Sequence, residues 1–68
     1  MKNYYFTFCG IHEHKNGYVK IIAKDVYSAR ERMFEVYNEK WGFQYSEEEF
    51  LPQIKQYGLY KVETLKAL

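Results

Sequence analysis

The 68-residue chain carries ten Lys and Arg against nine Asp and Glu, a net charge of +1, which gives no general electrostatic pull toward nucleic acid or an anionic membrane. One cysteine, Cys9, rules out an intrachain disulfide framework, and no apolar run approaches the roughly 20 residues that span a bilayer. Residues 1–68 are expected to form one soluble, cytoplasmic α+β domain near the lower size limit for independent folding, with eight Tyr, five Phe and one Trp supplying its buried area.

Residues 3–9, NYYFTFC, are aromatic and β-branched and predict a strand with Tyr4, Phe6 and Phe8 on one face. Gly10 ends it. Asn16-Gly17 is a hairpin dipeptide whose two residues accept positive φ, so YVKIIAK, residues 18–24, is the return strand. Val19, Ile21 and Ala23 then face the core, and Lys20 and Lys24 face water. Asp25 is suited to cap a helix in which Val26, Ala29, Met33 and Tyr37 recur at three- and four-residue steps. Asn38 accepts the left-handed conformation that closes such a helix.

WGFQY, residues 41–45, predicts a third strand with Trp41, Phe43 and Tyr45 on one side, the first two turned inward under the first helix. Ser46 and Glu49 form a capping-box pair, and Glu47 and Glu48 suit the first turn of a second helix over 46–57. Pro52 predicts a break in that helix, whose inward residues are Phe50, Leu51, Ile54 and Tyr57. Gly58 stops it, and LYKVETL, residues 59–65, is a fourth strand with Tyr60 and Val62 on one side. The expected architecture is a sheet of about four strands in β-β-α-β-α-β order, with both helices packed on one face.

Cys9, His12 and His14 are all metal-ligand types, in a Cys-x-x-His-x-His spacing. A closed zinc site needs four ligands, and the sequence holds no further Cys or His, so no metal or cofactor is expected. As a nucleophile Cys9 would need a positioned base and an oxyanion site, and helix capping accounts for the Glu47–Glu49 carboxylates. No phosphate-cradling glycine loop is present. The sequence therefore predicts a binding protein rather than an enzyme. After the core is filled, Tyr5, Tyr18, Tyr45 and Tyr60 are the expected partner contacts, since Tyr anchors recur at interfaces. Arg30 and Arg32 join them as cations, although two residues apart on a helix they diverge rather than clamp one phosphate. Aromatic strands interleaved with Lys20, Lys24, Arg30 and Arg32 also suit a stacking platform for bases; placing the rings in the core is favoured because so small a chain needs them inside.

Taken together, YYFTF, GYVKI, ARERMFEVYNEKWGFQYSEEEF and YGLYKVE resemble a family of small proteins encoded by phages and prophages of Gram-positive bacteria. The resemblance covers nearly the whole chain and is most specific from the helix into KWGFQYSEEE; a glycine commonly stands in that pattern where this chain has Asn38. It implies a non-enzymatic accessory protein of the host-cell cytoplasm that docks on a host defence protein and inhibits it, as an anti-CRISPR inhibitor does to a CRISPR nuclease. The alternative it implies is a homo-oligomer that sequesters a nucleotide immune signal in aromatic, basic pockets between subunits. A nucleic-acid-binding module is the third reading.

Overall fold

The structure, a computed structural model, describes residues 1–8, 10 and 12–67. Its elements are β1 Lys2–Phe8, β2 Gly17–Ala23, α1 Val26–Tyr37, β3 Trp41–Ser46, α2 Glu47–Tyr57 and β4 Tyr60–Ala67. This is the expected β-β-α-β-α-β order, and the fold is α+β with one mixed four-stranded sheet, β3-β1-β2-β4. β1 is antiparallel to both neighbours, β2 and β3, while β2 and β4 run parallel. No helix among the described residues is long and apolar enough to cross a membrane.

The caps explain where the helices begin and end. The Oδ1 of Asp25 accepts from the Ser28 backbone N–H at 2.8 Å, which satisfies one orphan donor at the start of α1. Asn38 closes α1 with φ 57°, its N–H donating to the Phe34 carbonyl at 3.0 Å. At α2 the capping box is complete, because Glu49 N–H donates to Ser46 Oγ and Ser46 N–H donates to Glu49 Oε1. Gly58 ends α2 in the left-handed conformation at φ 62°.

Pro52 does not break α2, which runs unbroken over Glu47–Tyr57. The ring removes the one N–H that would reach the Glu48 carbonyl, and both residues are exposed, so water can serve that oxygen.

The turn between the first two strands also differs from expectation. Among the described residues positive φ occurs only at Asn38 and Gly58, so Asn16-Gly17 is not a primed hairpin turn. The chain turns earlier, with Lys15 N–H donating to the His12 carbonyl and Gly17 N–H to that of His14. Gly17 is instead needed for space: a Cβ there would lie 2.7 Å from Val62 Cγ2 and 3.0 Å from the Tyr60 ring.

The sheet is covered on both faces. On one, Phe6, Val19, Ile21 and Ala23 are fully buried under Ala29 and Met33 of α1, with Phe8 and Ala67 completing the cluster. Each large side chain removed from water there stabilises by about 1.5–3 kcal/mol. The expectation of both helices on one face holds for α1 only. Phe50, the buried residue of α2, stacks on Tyr5 at 5.1 Å and also meets Tyr18 and Tyr45. Tyr5 stands between Tyr4 and Phe6 in β1, so strand alternation points it away from the α1 side. α2 therefore lies across the opposite face. Leu51 and Tyr57, expected inward, are exposed, and Ile54 is half-buried.

A register shift decides where the third strand's rings go. Tyr5 pairs with Tyr45 and Thr7 with Phe43, but Phe8 pairs with Trp41, which leaves Gly42 as an extra residue in β3. The bulge reverses the alternation. Trp41 turns to the α1 side and meets Phe6 edge-on at 5.0 Å. Phe43 turns to the other side and is 64% exposed, so it is not part of the core under α1.

Candidate binding cleft at the β3 edge

α1 packs chiefly on β4, β2 and β1 rather than on the edge strand β3. That offset leaves an open cleft of about 560 Å³ lined by Arg30, Phe34, Glu39, Trp41, Gly42, Phe43 and Gln44. Trp41 is its half-buried floor. Phe34, 44% exposed, meets the indole at 5.4 Å in a tilted edge contact. The Arg30 guanidinium lies 5.5 Å from the Trp41 ring centroid, within the range of a cation–π contact. Its Nη1 also donates to Gln44 Oε1 at 3.4 Å, a long bond at an exposed position. Trp41 Nε1 is buried and has no hydrogen-bond partner, a polar cost that a ligand acceptor or a water could relieve.

The cations and tyrosines expected to meet a partner do not form one surface. Arg30 belongs to the cleft. Arg32 points elsewhere, 4.0 Å from Glu35 and near Lys66. Tyr60 is exposed on β4, at the far edge of the sheet. Tyr18 and Tyr45 are half-buried around Phe50. Tyr5 needs correction: at 3% exposure, beneath the Phe50 ring, it has no surface to offer a partner. Burial and the nearby Glu47 carboxylate raise its phenol above the ordinary value.

The two apolar residues that do face solvent at the cleft, Phe34 and Phe43, were not among the expected contacts. The signal for Phe43 is the glycine before it, since an isolated Gly within a strand pattern marks a bulge. Phe34 sits at the edge of the α1 apolar stripe, one residue beyond the buried Met33.

Cys9, the first member of the Cys-x-x-His-x-His set, lies outside the described residues. His12 stacks on Phe8 at 4.5 Å, and its Nδ1 accepts from the His14 backbone N–H at 3.0 Å. That bond requires Nδ1 to be unprotonated. The His12 imidazole thereby serves the turn, and among the described residues no three His, Cys, Asp or Glu side chains gather as a metal site. On the same face Tyr37 donates its hydroxyl to the Glu63 carboxylate and ties α1 to β4. Burial first, then the carboxylate, hold the Tyr37 phenol well above its ordinary value.

No family model matches the chain, and comparison with curated proteins and with solved structures gives no significant match.

Proposed function

We propose that the protein acts by docking on another protein through the β3 cleft, without catalysis. The observation that carries this reading is the exposure of two rings flanking Trp41 and Arg30 at the strand–helix corner, Phe34 on the α1 side and Phe43 on the other side of β3. Trp, Tyr and Arg dominate the energetics of protein contacts, and rigid rings lose little conformational entropy on binding. The capped α1 and the Trp41–Phe6 contact fix these groups before a partner arrives. A net charge of +1 supplies no field that would favour a polyanion instead.

The likeness to phage-encoded proteins directs the search for that partner to host defence proteins, CRISPR nucleases among them. The test is affinity capture from host lysate with the wild-type chain and with a Phe34→Ala, Phe43→Ala variant, each checked for native circular dichroism. A defence protein retained by the wild type and lost with the variant is the expected result. Equal capture by both would refute the assignment of the cleft. Tight binding of a cyclic or ADP-ribose-type nucleotide, with no protein retained, would favour the sequestering alternative.

A further inference from the structure

β3 and β4 are both edge strands, and their sequences treat the edge differently. β4 carries Lys61, Glu63 and Lys66, whereas β3, WGFQYS, carries no charge and no proline. Natural sheets protect an edge with charges, proline, bulges or a covering element, and an edge without them is a template for another strand. β3 has only the Gly42 bulge, near its start; from Phe43 to Ser46 it stays in unbroken register with β1.

The charges beside this edge are complementary under a half-turn. Arg30 lies against Gln44 toward one end of the cleft, and Glu39 precedes Trp41 at the other. Among the described residues neither has an ion-pair partner. If a second β3 runs antiparallel to the first, each Arg30 end meets the other copy's Glu39 end. The exposed Phe43 rings then come together near the axis. A two-fold contact requires a patch that complements itself, and this patch does so in charge and in its uncharged centre.

We propose that the free chain forms a two-fold dimer in which β3 pairs antiparallel with β3 of a second copy, joining the two sheets edge to edge. A small domain with a limited core gains stability from such association. The inference uses the same cleft as the docking reading: the second copy covers it until a partner displaces it.

Sedimentation equilibrium of the purified chain, from about 10 µM to about 1 mM, tests it. With only a short strand to pair, the expected dissociation constant lies at about 10–100 µM. Phe43→Lys, at an exposed position, is expected to weaken the dimer at least about tenfold by placing a charge on the open edge. Arg30→Glu and Glu39→Arg are each expected to weaken it several-fold, to about tenfold, and the double charge swap to restore it. A monomer at every concentration, a dimer indifferent to Phe43→Lys, or a double swap no better than either single change would overturn the proposal. No host protein enters these measurements. A monomer would therefore leave the cleft to an unlike partner, and failed capture from lysate would leave the dimer standing.

Discussion

Phe50→Ala removes the ring on which the attachment of α2 depends. The side chain is fully buried and is in contact with Tyr5, Tyr18 and Tyr45, at centroid distances of 5.1, 5.1 and 5.2 Å. Taking about 150 Å² of apolar area at about 25 cal/mol per Å² gives a loss near 4 kcal/mol, within the roughly 3–5 kcal/mol typical of Phe→Ala in a core. A domain of this size holds roughly 3–10 kcal/mol in total, so the substitution removes from about two-fifths to all of it. With a urea slope of about 1 kcal/mol per M, the unfolding midpoint should fall by about 4 M, or the variant should be unfolded in buffer. Two probes show whether the two faces fold together. Trp41 fluorescence reports the α1 face, because the only tryptophan lies there, while far-UV circular dichroism includes α2. Cooperative unfolding moves both transitions equally. A midpoint shift under about 1 M would refute the claim that Phe50 anchors α2.

Three further outcomes follow from the packing and the caps. Gly17→Ala forces its new methyl against Val62 and the Tyr60 ring and should cost about 1–3 kcal/mol, read by denaturant titration; a neutral result would mean that β4 yields at that point. Ser46→Ala loses the side-chain arm of the capping box, the Oγ that accepts from Glu49 N–H, while its backbone N–H keeps Glu49 Oε1; it should lower stability by about 1 kcal/mol, with Ser46→Asp recovering most of it. In acid, the Ser28 backbone N–H holds the Asp25 carboxyl below its ordinary value of 3.8, and the Ser46 N–H holds Glu49 below 4.5. Depressed carboxyls contribute stability above those ordinary values and lose it as pH falls through the lowered ones. Thermal midpoints should therefore drop below about pH 4.5, and less steeply in an Asp25→Asn, Glu49→Gln variant.

The helices were legible because their ends are local chemistry. Asp25, Asn38, Ser46, Glu49 and Gly58 each act within one turn of their own position, so sequence spacing alone specifies them. The side of the sheet that α2 covers depends on a comparison between strands. Tyr5 and Phe6 are adjacent, point to opposite faces and are both buried, and strands with two apolar faces indicate a sheet covered on both sides. The bulge at Gly42 was harder to read, because one extra residue exchanges the faces of every ring on one side of it. That exchange sends Phe43 to solvent and Trp41 to the α1 side, and so creates the cleft. The site was therefore less legible than the fold: Arg30 was identified from the sequence, whereas Phe34 depends on where α1 sits relative to β3 and Phe43 on the Gly42 bulge.

The parallel pairing of β2 with β4 constrains how the chain acquires its shape. β2 spans residues 17–23, yet the strand that covers its outer edge is not available until residues 60–67 have been made. A ribosome-bound chain thus exposes the Val19–Ile21 edge throughout synthesis of both helices. Closure must then span on the order of forty residues, a slow and entropically costly step. Newly made chains at high concentration are vulnerable in that interval to joining one another by the wrong strand.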